Sequence, residues 1–308
     1  MGLRLPPPLQ PGDRVRLAAA SSCLSEGRRL HTGIEILQSW GLEVEQPFRT
    51  DRHWGYLAGH DNERLADFAP APLLACVRGG WGSARLLEHG WSPPQGWLLG
   101  FSDVTSLLWA MAAAGGGGAI HGPLLTTLAG EPDWSRERLR RLLFGEPLPP
   151  LQGLPWHPGI TEGPLLVANL TVATHLLGTR WCPPLQGAVL LLEDVGEAPY
   201  RIDRMLTHWR LAGALQQLAG LAFGSFEGCD PADDDGRPGF GLEEVLRERV
   251  ADLGIPVLAD LPVGHGAVNA ALPLGVRCRL DGDRGLLELL DGAAAGLPPV
   301  PDPGEPSP

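Results

Sequence analysis

Trp97-Leu98-Leu99-Gly100-Phe101-Ser102-Asp103-Val104-Thr105-Ser106-Leu107-Leu108 decides how the rest of the chain is read. It opens on a short apolar run of the kind that makes a buried strand, and Gly100 breaks that run. Val104, Leu107, Leu108 and Met111 then recur at helical spacing. Ser102 therefore falls on a sharp strand-to-helix turn, with its hydroxyl pushed outward. The N–H groups of a helix's first turn have no intrahelical partner, and the dipole there is positive. An oxyanion formed beside Ser102 would be stabilised, which is what acyl transfer through a serine needs. A plainer reading also fits, with Ser102 as an N-cap. The second glycine of a Gly-x-Ser-x-Gly elbow is absent, since Val104 stands there.

Working outward, residues 15–20, 42–44, 73–77 and 119–121 read as strands. Between them, residues 26–40 place Leu30, Ile34, Leu37 and Trp40 on one helical face, and Gly41 follows as a C-terminal cap. A second helix runs from Asp61 through Leu65 and Phe68, and a third passes through Leu86 and Leu87. Strands alternating with helices predict a parallel, doubly wound sheet covered on both faces. Ligands of such sheets bind beyond the carboxyl ends of the strands. Ser21, Gly80, Ser102 and His121 each follow a strand, so they are expected on one edge.

The chain has 308 residues, which suggests about two domains at roughly 150 residues each. Hydrophobic residues at 44% against 19% charged are enough for a sizeable core. The net charge of −12 argues against nucleic acid or an anionic membrane as the main partner. Lysine is absent, so a lysine Schiff base and a P-loop lysine are excluded. Cys23, Cys76, Cys182, Cys229 and Cys278 are scattered and odd in number, which fits a reducing compartment. No signal-peptide core and no membrane-length apolar run is present, and a cytoplasmic protein is expected.

Proline and glycine accumulate between residues 146 and 162, which predicts a linker between an N-terminal domain, 1–145, and a C-terminal domain, 163–291. In the second half, residues 165–170 lead into a helix reaching Leu177. Residues 188–192 form a buried strand ending in Glu193-Asp194, and residues 200–211 an arginine-rich helix. A strand at 221–224, an acidic loop at 230–238, a helix at 240–253 and a strand at 257–259 follow. Residues 276–280 and 286–290 flank a hairpin turn, and residues 292–308 are expected to be a disordered tail.

Glu193 ends an otherwise apolar strand, so it is either a solvated rim carboxylate or the orienting acid of a catalytic row. His265 lies between Gly264 and Gly266, whose freedom lets a ligand approach closely, and it ranks first among nine histidines, ahead of His121. The Arg78-Gly79-Gly80-Trp81-Gly82 turn lacks the Gly-x-Gly-x-x-Gly spacing, but its N–H groups suit a second oxyanion donor. No metal-ligand spacing appears, and no cofactor is expected. Ser102, Glu193 and His265 each follow a strand and come in the order nucleophile, orienter, base.

These residues resemble the LD-carboxypeptidases, serine peptidases that include the microcin C self-immunity hydrolases. The likeness covers residues 13–290. It rests on the 78–82 turn, Gly100-Phe101-Ser102-Asp103-Val104-Thr105, His121-Gly122-Pro123, Asn169-Leu170, Leu192-Glu193-Asp194-Val195-Gly196-Glu197-Ala198-Pro199-Tyr200-Arg201-Ile202-Asp203-Arg204-Met205-Leu206, and Gly264-His265-Gly266 with Asn269. The sequence departs from the pattern at Trp81, where tyrosine is usual, and at Val167-Ala168, where two glycines are common. The resemblance implies an N-terminal parallel-sheet domain and a smaller C-terminal α/β domain with the site in the cleft between them. It maps the nucleophile to Ser102, the acid to Glu193, the base to His265, and the oxyanion donors to the N–H groups of Asp103 and Gly80. Trp81, His121 and Arg201 are its substrate-binding candidates, with Arg78 and Arg204 as other carriers of a substrate carboxylate. The implied reaction releases terminal D-alanine from a murein tetrapeptide, a small peptide substrate, and a homodimer is implied by the family alone. The alternatives are a microcin-like nucleotide conjugate as substrate, and a non-catalytic binding protein on the same fold.

Overall fold

The computed structural model describes residues 5–24, 27–230 and 239–290. The first half runs β1 (Arg14–Ala18), α1 (Gly27–Ser39), β2 (Glu43–Glu45), α2 (Asp61–Ala66), β3 (Leu73–Cys76), α3 (Ser83–Glu88), β4 (Trp97–Gly100), α4 (Thr105–Ala113), β5 (Ala119–His121), α5 (Leu125–Leu128) and α6 (Asp133–Leu143). The second half runs β6 (Leu151–Gln152), β7 (Leu154–His157), β8 (Ile160–Asn169), α7 (Leu170–Leu176), β9 (Val189–Val195), α8 (Pro199–Leu211), β10 (Gly220–Glu227), α9 (Leu242–Val250), β11 (Val257–Ala259), β12 (Leu272–Pro273), β13 (Arg277–Asp281) and β14 (Leu286–Leu289).

Side chains alternate across a strand, and that alternation builds the first layer. Leu73, Ala75, Trp97 and Leu99 face one way and pack with Leu30 and Leu37 of α1, Leu125 of α5 and Leu139 of α6. Leu74, Cys76 and Leu98 face the other way, against Leu86 of α3 and Leu107, Leu108 and Met111 of α4. The sheet is thus wound on both faces, as its near-continuous apolar strands require. Its order is β12-β5-β4-β3-β1-β2. The five strands from the first half are parallel, and β12 joins antiparallel to β5 from far along the chain. The chain moves from β2 on one side of β1 to β3 on the other, so the turns after β1 and β3 lie at a topological switch point.

The second sheet has eight strands, in the order β6-β14-β13-β8-β9-β10-β11-β7. Its centre, β8 to β11, is parallel, and antiparallel strands flank it. The segment expected to be a linker is largely sheet: β6, β7 and the start of β8 all fall within 146–162. Its prolines break the apolar pattern, but β7 borders only β11 and β6 only β14, and prolines are tolerated at such edges. The apolar run at 165–169 extends β8 instead of starting the helix, which begins at Leu170 with Asn169 as N-cap. Helices α5 and α6 had no counterpart in the reading of the sequence. Most of the expected acidic loop, 231–238, and the expected tail lie outside the described residues.

Candidate active site

The elbow after β4 is built as its sequence suggests, with an added constraint. Ser102 has φ 62, one of two non-glycine residues in the left-handed region among the described residues. That conformation costs a side-chain-bearing residue on the order of 1–2 kcal/mol. Such strain persists only where surrounding structure imposes it. Asp103 does the imposing. Its buried carboxylate accepts from the Ser21 hydroxyl at 2.6 Å and the Ser83 N–H at 2.8 Å, and the Ser83 hydroxyl donates to its carbonyl. The elbow is thereby tied to the end of β1 and the start of α3. Burial raises the Asp103 carboxyl above the usual carboxylate range, and the donated hydrogen bonds oppose that shift. Gly79 lies against the elbow serine: a Cβ there would sit 3.0 Å from the Ser102 Oγ.

Across the cleft, β9 carries Glu193 two residues before its end, and that side chain is fully buried. The register of β9 with β10 jumps from Leu192↔Phe223 to Asp194↔Phe226. Gly224 and Ser225 therefore oppose Glu193 alone, which is a bulge of the kind found beside functional sites. The bulge opens room for the 263–266 loop, and Ser225 N–H donates to the Val263 carbonyl at 2.8 Å. Gly264 (φ +120) passes so close to the acid that a Cβ would come within 2.7 Å of Glu193 Oε2. Only glycine lets the loop run here.

The loop delivers the imidazole between the other two groups. His265 Nδ1 is 2.7 Å from Glu193 Oε2, and His265 Nε2 is 3.0 Å from Ser102 Oγ. The Phe101 ring packs on the imidazole at 4.7 Å between centroids. Burial pulls the His265 proton affinity down, but the hydrogen bond and charge of Glu193 outweigh it, so the net shift is upward. Burial also raises Glu193, against the pull of His265. A hydroxyl, an imidazole and a buried carboxylate in one row can generate an alkoxide nucleophile and return its proton to a leaving group.

The cleft over this row has a volume of about 410 Å³ and is lined by Leu24, Arg29, Arg78, Gly79, Gly80, Phe101, Ser102, Leu124, Thr126, Thr127 and His265. Gly80 is on this wall, and no hydrogen bond occupies its N–H or that of Asp103 among the described residues. Arg78 is held by a bond from its guanidinium to the Cys23 carbonyl at 2.6 Å. Three expected substrate contacts lie elsewhere. Trp81 is half exposed and off the cleft wall, with its N–H bonded to the Ser22 hydroxyl. His121 is fully buried on β5 behind Phe101, and burial holds it neutral, its pKa lowered to about 3. Arg201 lies on α8, pairs with Glu197 and lines a separate depression with Arg204 and His208. The arginine-rich motif that pointed to it marks a helix surface. Arg29 was missed, because a helix arginine carries no signal of its own in a chain whose every basic side chain besides histidine is arginine.

Residues 15–122 match the LD-carboxypeptidase N-terminal domain, and residues 162–280 match the LD-carboxypeptidase C-terminal domain. A Synechocystis sp. protein whose name assigns it only provisionally to the carboxypeptidases is 51% identical over 296 residues, covering 92% of this chain and 97% of that one. The murein tetrapeptide carboxypeptidase of Pseudomonas aeruginosa is 34% identical over 301 residues, covering 89% of this chain and 95% of its own. The crystal structure of a muramoyltetrapeptide carboxypeptidase from Oxalobacter formigenes superposes with a TM-score of 0.77 at 26% identity, covering 89% of this chain and 97% of that one. With both halves matched and relatives aligned over nearly their whole length, this chain belongs to the LD-carboxypeptidase family of serine peptidases.

Proposed function

We propose that the chain is a serine carboxypeptidase that hydrolyses an L,D-amide bond and releases the terminal D-alanine of a murein tetrapeptide in the cytoplasm. The observation that carries this reading is the unbroken row from Ser102 Oγ through His265 to Glu193. Glu193 fixes the tautomer with the proton on Nδ1, which leaves Nε2 free to accept from Ser102. The hydroxyl attacks the scissile carbonyl as its proton passes to Nε2. The N–H groups of Asp103 and Gly80 hold the oxygen that becomes negative. His265 then protonates the departing amine of D-alanine, and an acyl-serine remains. A water molecule, deprotonated by the same nitrogen, hydrolyses it.

A carboxypeptidase must also recognise a free carboxylate, and Arg29 and Arg78 are the two arginines on the cleft wall among the described residues. The relative from Pseudomonas aeruginosa is named for the murein tetrapeptide, which supports that substrate class. The five free cysteines suit a reducing compartment. The test is mass spectrometry of products from a purified murein tetrapeptide, with an aminoacyl sulfamoyl adenylate as a parallel substrate. Loss of one D-alanine is expected. In Ser102→Ala the rate should fall at least ~10³-fold with the fold intact. Turnover retained in that variant overturns the reading, and cleavage of the adenylate alone reassigns the substrate.

A further inference from the structure

The imidazole and its hydroxyl partner come from opposite halves of the chain, so something must set their separation. Direct contacts at the row itself do so weakly, because a serine hydroxyl rotates. The stronger tie lies below the cleft. Glu131, between α5 and α6, is 8% exposed and forms no ion pair among the described residues. Its Oε2 accepts from the Asn269 N–H at 2.9 Å and from the Ser135 hydroxyl at 2.8 Å. Asn269 is itself buried, and its Oδ1 accepts from the Gly264 N–H at 3.0 Å. Gly264 directly precedes His265 and packs against Glu193. Two hydrogen-bonded steps therefore lead from a carboxylate of the first half to the backbone that aims the imidazole.

We propose that Glu131, acting through Asn269, is a positioning residue that registers His265 against Ser102 across the cleft. A buried, unpaired carboxylate is costly, and an apolar side chain would pack this site with less penalty. Asn269 carries a cost too, since its Nδ2 is buried without a partner. Both costs fall on one acceptor chain that ends at the histidine loop. Arg138 of α6 grips the same segment, donating to the Ala271 carbonyl at 3.0 Å, but that bond lies beyond Asn269 and does not reach Gly264. Arg138 holds the strand crossing, and Glu131 holds the loop.

The inference rests on the serine-peptidase reading for its kinetic consequence, but not for its structural one. Glu131→Ala, Glu131→Gln and Ser135→Ala are compared with the parent chain. The first readout needs no substrate: the low-field proton resonance of the Nδ1–H bond between His265 and Glu193. Glu131→Ala is expected to broaden or lose it. Glu131→Gln keeps an oxygen that can accept both hydrogen bonds and should restore it. The second readout is turnover, where Glu131→Ala should lower kcat about 10- to 100-fold at nearly unchanged KM, the cost of a misplaced catalytic group. Ser135→Ala removes the donation to Glu131 and a long 3.4 Å contact to the Asn269 carbonyl but leaves the bond from the Asn269 N–H to Glu131 in place, and it should stay near the parent value in both. A Glu131→Ala protein that melts lower but keeps the resonance and kcat has lost only packing, and the proposal is overturned. The same holds if Glu131→Gln behaves like Glu131→Ala. A parent chain that shows the resonance but no turnover refutes the assigned reaction and leaves the positioning result standing.

Discussion

Among the described residues, buried Glu193 pairs with the imidazole of His265 and with no other cation, so in the proposed mechanism its charge acts chiefly on His265. That has a consequence in pH. A protonated His265 cannot accept the Ser102 proton, and its affinity for a proton is raised by Glu193 against the opposing pull of burial. The kcat/KM profile should therefore climb with pH, with its midpoint above the usual histidine range. Glu193→Gln removes the charge and leaves the burial, so the midpoint should fall while the plateau drops. A midpoint that stays put in that variant would show that Glu193 does not set the imidazole's titration. Ser102 was legible as a residue because a serine between a buried strand and a helix has few roles. Glu131 was not, since neither helix beside it was read from the sequence and a lone glutamate between them carries no signal of its own.

The elements under the glycine turn make a separate electrostatic unit. Arg64 of α2 is fully buried, and its guanidinium bonds the carbonyls of Ala20 and Gly82 and the carboxylate of Asp61. Asp61 also holds Arg85 of α3 at 2.7 Å. It thus joins α2 to α3, and Arg64 braces the turn that carries Gly79 and Gly80. Asp61→Ala strands a buried charge and should destabilise the fold by about 3 kcal/mol in chemical denaturation. The hydrogen bond from Arg85, ahead of that from Arg64, holds the Asp61 carboxyl down at about 2. A depressed carboxyl stabilises the fold above its unfolded value, so this contribution should be full at neutral pH and fade as acid approaches pH 2. A stability difference between parent and variant that persists undiminished in acid would contradict the assignment. Most elements of the first sheet were readable, because parallel strands buried on both faces are unmistakable apolar runs. The strands β6 and β7 were hidden by prolines that only an edge tolerates.

At the scale of the molecule, one apolar cluster runs without interruption from α4 of the first half into β8, β9 and α8 of the second. Trp109 is its hinge. The side chain is fully buried, its indole N–H donates to the Val167 carbonyl at 3.1 Å, and its ring meets Trp209 of α8 at 6.1 Å. Trp109→Ala should cost about 3–5 kcal/mol. Calorimetry should show one transition moved downward, not one half melting before the other. Two separated transitions in the parent chain would mean that the halves are independently stable. The sequence by itself determined the winding of the first sheet and the elbow at Ser102, because both are written in local apolar periodicity and a glycine beside them. It left Glu193 open between a rim carboxylate and an orienting acid, and the pairing of Glu193 with His265 came from the family resemblance. Only the tertiary structure decided which cations face the cleft, that His121 is buried behind Phe101, and that β12 returns to the first sheet with Asn269 just before it. Those are properties of segments that are not neighbours in the chain, and nothing in a short window encodes which distant surface a side chain will meet.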